Sequence, residues 1–138
     1  MAGCNDSECR DWRKYVKSKS KGYNKELRTT VVQFTCLDPT ERDYREYDDK
    51  EMTQEIINLI VEEDKHDIIK SDALLVNYMP NKRAVGTIME TLEAWNRGKW
   101  IIVNNPPGFY PSPWLQYHSH GITHNLDDAI EKILRRFR

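Results

Sequence analysis

The chain has 138 residues, 38% of them apolar and 31% charged, enough for one domain with a modest core beneath a charged surface. Its 21 Lys and Arg against 22 Asp and Glu leave a formal charge of -1, which gives no bulk electrostatic reason to expect a nucleic-acid polymer or an anionic membrane as partner. No apolar run approaches the ~20 residues of a membrane-spanning helix and no signal-peptide pattern opens the chain. Cys4, Cys9 and Cys36 are odd in number and form no C-x-x-C pair, which speaks for reduced thiols rather than a disulfide framework or a zinc site. Residues 1–138 are therefore expected to form a single soluble, cytoplasmic domain.

Residues 7–19 carry Trp12, Tyr15 and Val16 at helical spacing and suit a first amphipathic helix. Residues 30–37, TVVQFTCL, are β-branched and apolar, as a buried strand is, and Asp38-Pro39-Thr40 ends them. After the charged loop ERDYREYDDK, Asp48 or Asp49 is placed to cap a helix running to about Lys70. Its apolar positions are Met52, Ile56, Leu59 and Ile60, and a break near Glu63 is compatible with the pattern.

Residues 73–78, ALLVNY, read as a strand covered on both faces. A helix over 86–97 follows, with Ile88, Leu92 and Trp95 as its apolar stripe and Gly98 as its stop. Residues 100–104 form the next buried strand, Pro106-Pro107-Gly108 opens a long loop, and 121–124 suit a short final strand. Asn125 caps a terminal helix with acids in its first turn and arginines in its last, both favoured by the helix dipole. Alternating strands and helices imply a parallel sheet with helices on both faces. Ligands bind beyond the carboxyl ends of such strands, which points to the loops at 38–44, 78–86 and 104–120.

Glu90 lies one turn into the helix after the 73–78 strand and off the 88/92/95 stripe. Spacing alone allows an ordinary first-turn acid favoured by the dipole, or a carboxylate aimed at a ligand that Gly86 lets approach the backbone. The surrounding run, SDALLVNY followed by AVGTIMETLEAWNRGKWIIV, resembles the nucleoside 2-deoxyribosyltransferase-like superfamily. There an "sDallvan" strand precedes a "sVGTsmElgyAw..GKpvi" helix and strand. The likeness extends to Ala2-Gly3 with Trp12-Arg13, to Leu37-Asp38-Pro39-Thr40 with Arg42-Asp43, and to Asp64 eight residues before Asp72. It also takes in the segment Ser112-Pro113-Trp114-Leu115-Gln116-Tyr117-His118.

The resemblance implies a flavodoxin/Rossmann-like parallel sheet, with its first strand truncated or atypical because Met1 stands directly before Ala-Gly. It matches Glu90 to the family nucleophile, which forms a glycosyl ester at the anomeric carbon while the base leaves. Asp64 matches the acid that orients the nucleophile or exchanges a proton with the base, whereas Asp72 reads as structural. Gly3, Asp38 and Arg42, then Gly86 and Thr87, fall at substrate-binding positions of the family pattern, and Asn77 stands at the strand end facing the same edge. Trp114, Tyr117 and His118 are candidates for stacking on a base or for a subunit interface. Members commonly carry Ser or Asp before the Val-Gly; here Ala84 stands there, and Arg83 beside it either holds a phosphate or is a solvated cation.

The resemblance further implies no cofactor and no metal, and a homodimer or higher homo-oligomer completing the pocket. His118, His120 and His124 lack the spacing of a zinc motif. The expected reaction is transfer of the sugar of a (deoxy)nucleoside or nucleotide to another base. The alternatives are hydrolysis of a nucleoside 5′-monophosphate and an inactive nucleotide-binding sensor.

Overall fold

Residues 7–26, 35–38, 51–79 and 85–137 are the ones described by the structure, a computed structural model. They run α1 (Ser7–Glu26), α2 (Gln54–Lys70), β1 (Ala73–Asn77), α3 (Val85–Asn96), β2 (Trp100–Asn104), α4 (Pro113–Tyr117), β3 (Gly121–Thr123) and α5 (Leu126–Arg136). The three strands form one parallel sheet in the order β1-β2-β3, so the protein is α/β as expected. Leu74 pairs with Ile101, Val76 with Val103, and Val103 with Ile122.

Because strand side chains alternate, these residues share one face of the sheet. They pack there with Ile68 of α2, Ala94 of α3 and Leu115 of α4. Ile102 and Gly121 point to the other face, where a Cβ on Gly121 would meet Ile102 and Lys132 of α5. The buried side of α5, Ala129, Ile130 and Leu134, closes that face. Val76, Ile101, Ile102 and Val103 are almost wholly buried, each worth about 1.5–3 kcal/mol of apolar transfer.

At the carboxyl edge of the sheet the strands end in a polar row. Asn104 Nδ2 donates to Asn77 Oδ1 at 3.0 Å, and Thr123 Oγ1 donates to Asn104 Oδ1 at 2.9 Å.

Several expectations are corrected. Of the strand expected at 30–37, residues 30–34 lie outside the described residues and 35–37 carry no strand. α1 continues past Lys19 to Glu26, because Lys and Glu sustain a helix where the apolar spacing has run out. α2 starts at Gln54 with Thr53 as its cap, Thr53 Oγ1 accepting from Ile56 N at 3.3 Å. Asp48 and Asp49 lie outside the described residues, and no break occurs at Glu63. Leu59, expected inside, is exposed.

α3 is rotated from its reading, although Trp95 packs against the core as expected. Its buried residues are Thr87, Thr91 and Ala94, while Ile88 and Leu92 are exposed. Small side chains let α3 lie close on β1 and β2, and the Thr91 hydroxyl is satisfied by the Thr87 carbonyl at 2.6 Å. The helix does stop at Gly98, whose φ of 71° only glycine adopts freely. Lys99 N donates to Ala94 O and Gly98 N to Trp95 O, the paired bonds of a Schellman cap. The expected loop after Pro107 contains the unforeseen α4, capped by Ser112 with Pro113 at its first position. Asn125 caps α5 as read, its Oδ1 accepting from Asp128 N at 2.9 Å. Among the described residues no helix is long and apolar enough to cross a membrane.

Candidate active site

Asp64 comes from the middle of α2 and Glu90 from the second turn of α3, two helices that pack against each other. Both carboxylates line a single cavity of about 740 Å³. This volume is ordinary for a small-molecule site of roughly 300–1,000 Å³. Trp12, Val16, Ile68, Leu75, Leu134 and Phe137 supply its apolar wall. The cavity therefore offers aromatic and aliphatic surface around a few charged groups.

Glu90 and Asp64 interact electrostatically across the wall of the cavity. Burial is the main cause pushing the Glu90 carboxyl above its ordinary value, and the charge and hydrogen bond of Asp64 push the same way. A pair of this kind can deliver a proton and a negative oxygen to one substrate.

On another part of the wall, Asp38 Oδ1 lies 3.4 Å from Arg13 Nε and Asp38 Oδ2 lies 3.3 Å from Lys17 Nζ. Arg13 is 4% exposed and Asp38 is 11% exposed, so this ion pair is largely withdrawn from water. Arg13 and Lys17 are one helical turn apart on α1, which places both against the same carboxylate. The sequence likeness included Trp12-Arg13 but assigned them no role. The i, i+4 spacing of two cations on an amphipathic helix was the available signal.

The remaining expected site residues are dispersed. Asp38 lines the cavity, held by Arg13 and Lys17. Thr87 is buried on the sheet side of α3, and Gly86 is exposed at the start of that helix. Neither belongs to the cavity wall. Asn77 is engaged by Asn104 at the carboxyl edge of the sheet. Tyr117 and His118 pack on Trp95, their centroids 5.9 and 5.5 Å from its ring, and Trp114 stacks on His118 at 5.7 Å, again away from the cavity. Gly3, Arg42 and Arg83 lie outside the described residues.

The cavity is also displaced from the expected loop edge. It runs along Ser71–Leu75, beside the edge of β1 that has no strand partner among the described residues. Among the described residues of the loops singled out, only Asp38 contributes.

The histidines make separate contacts. His118 Nδ1 lies 2.6 Å from Trp114 O, His120 Nδ1 accepts from Ile101 N at 3.0 Å, and His124 Nδ1 lies 3.1 Å from Asn105 O. No group of three or more His, Cys, Asp or Glu residues is placed to hold a metal ion among the described residues. Compared with known proteins, the chain matches no family model and no curated protein sequence.

Proposed function

We propose that the protein cleaves the N-glycosidic bond of a (deoxy)nucleoside or nucleotide and transfers the sugar to another base, as an intracellular enzyme of flavodoxin/Rossmann-like fold. The observation that carries this reading is the meeting of Glu90 and Asp64 in one cavity, from positions 26 residues apart. The likeness of Gly86-Thr87-x-x-Glu90 to the transferase superfamily supports it independently.

The reaction needs a charged oxygen on Glu90 and a proton on Asp64, and the interaction between the two side chains lets a proton pass from one to the other. The Glu90 carboxylate oxygen then attacks C1′, the C1′–N bond breaks, and its electron pair leaves with the base. Asp64 supplies the departing base with its proton. The resulting ester is opened when a ring nitrogen of a second base attacks C1′; Glu90 regains its charge and Asp64 takes back the proton. Trp12 and Phe137 offer the flat apolar surface against which a base can stack.

Incubation with a panel of deoxynucleosides and their 5′-monophosphates, with and without acceptor base, followed by chromatography, tests this. The expected result is a new nucleoside formed only with acceptor present, lost in Glu90→Ala. Free base released equally without acceptor makes water the acceptor and the enzyme a hydrolase. Nucleotide binding without turnover, unchanged in Glu90→Ala, defeats the catalytic reading in favour of a sensor.

A further inference from the structure

The first rung between β2 and β3 is closed by a side chain. His120 N donates to Ile101 O at 2.8 Å, and Ile101 N donates in return to His120 Nδ1 at 3.0 Å. β3 begins only at Gly121, so the imidazole stands where a strand carbonyl would otherwise accept. Ile101 is wholly buried, whereas His120 is exposed. A buried amide of the central strand therefore depends on an acceptor that solvent protons can reach.

A backbone N–H only donates, so His120 Nδ1 carries a lone pair and the neutral ring keeps its hydrogen on Nε2. An imidazolium has a hydrogen on each nitrogen and accepts at neither. Imidazole is also the side chain whose charge ordinarily changes between about pH 5 and 8. The ring lies against Trp100 and Trp95, with centroids 4.2 and 5.0 Å away. Indoles attract a cation, but Arg136 of α5 already sits 5.0 Å over the Trp100 ring. From α4 come His118 and Tyr117, both on Trp95, and α5 brings Lys132 beside Gly121. At the end of α3, Glu93 is bonded to Arg97 at 2.8 Å, and Lys99 Nζ donates to Ile69 O. A charge arriving on His120 thus joins a neighbourhood of cations. Attraction to an indole at an exposed position is weaker than the cost of stranding a buried amide.

We infer that His120 is an acid-released clasp: proton uptake frees its ring from Ile101 N and unfastens the start of β3, and the segment joining it to α4, from the sheet. The release adjoins the cavity. Trp100 N donates to Asp72 O at 3.2 Å, and Arg136 lies 5.9 Å over the Phe137 ring; Asp72 and Phe137 both line the cavity wall. The clasp is independent of the proposed reaction, because neither Glu90 nor Asp64 takes part in it.

Amide resonances of the isotope-labelled chain, followed from about pH 7.5 to about pH 5.5, test it. The Ile101 amide is expected to shift together with the His120 ring signals. Its exchange protection, corrected for the intrinsic rate at each pH, is expected to fall by about tenfold or more. His120→Asn supplies an oxygen that accepts without taking up a proton, so protection of Ile101 is expected to stay level over the same range. His118→Asn leaves the clasp in place and is expected to lose protection as the wild type does. Ile101 protection that is unchanged in the wild type, or that falls equally in His120→Asn, overturns the inference. If His120→Asn fails to fold, the wild-type titration decides alone.

Discussion

Replacing Glu90 with glutamine is expected to stabilise the protein while removing its proposed activity. The folded state holds the Glu90 carboxyl above its ordinary value, because of burial first and Asp64 second. A carboxyl whose value is raised on folding favours the fold while protonated, and that stabilisation is lost as pH rises through the folded value. Glutamine mimics the protonated form at every pH. Two unit charges about 4 Å apart repel by about 4 kcal/mol at an effective dielectric of 20. Neither carboxylate is fully buried and both face an open cavity, so solvent screening reduces the net gain at about pH 8 to roughly 1 kcal/mol. With a urea slope of about 2 kcal/mol/M for a chain of this size, the unfolding midpoint rises by about 0.5 M. Near pH 4 the two proteins approach each other, since Glu90 is then mostly protonated in both folded and unfolded states. Urea unfolding followed by tryptophan fluorescence at the two pH values is the assay. A midpoint equal to or below wild type at pH 8, or a gain of the same size at both pH values, refutes the reasoning.

Asp64→Asn removes the like charge, so the acid limb of the rate–pH profile moves to lower pH; base release slows by about 10²–10⁴-fold because the proton partner is gone. An unmoved acid limb contradicts the coupling. Ile101→Ala, at the centre of the sheet, is expected to cost about 2–5 kcal/mol in chemical denaturation. Gly98→Ala forces a side chain onto a φ of 71° and is expected to cost about 1–2 kcal/mol, although a Cβ there meets no atom within 4 Å. The cost is backbone strain, so Gly98→Asn, which tolerates this conformation better, should recover part of it.

Features written in local chemistry were legible in the sequence. Asn125, Gly98 and the strands read at 73–78 and 100–104 each depend on a few adjacent residues; the second strand lies where it was read and the first ends one residue earlier, at Asn77. The face of α3 was not legible, because periodicity locates an apolar stripe without saying which side meets the sheet. The two threonines that actually do so look polar until the Thr91 hydroxyl is seen bonding back to Thr87. α4 was hidden for a different reason: Pro113 and the preceding prolines signal a loop, whereas a proline at the first helical position is compatible with a helix. The convergence of Asp64 and Glu90 was anticipated through sequence likeness. The Arg13–Asp38 pair joins segments 25 residues apart with no motif to link them.

The polar row at the end of the sheet has a consequence for how the strands find their alignment. Both faces of β1 and β2 are covered, so nearly every position along them is apolar and a slip along the strand direction would still bury hydrocarbon. Hydrophobicity alone would leave the strands free to slide like unmarked rulers. Asn77, Asn104 and Thr123 are mutual partners in the ladder, and their side chains bond only when all three strand ends are level. A slip of two residues keeps the faces correct yet strands these amides and the hydroxyl against hydrocarbon, at about 1–3 kcal/mol for each unsatisfied group. The row thus acts as an index mark for the sheet, and the chemistry least suited to the core is what selects one alignment among several that burial would accept.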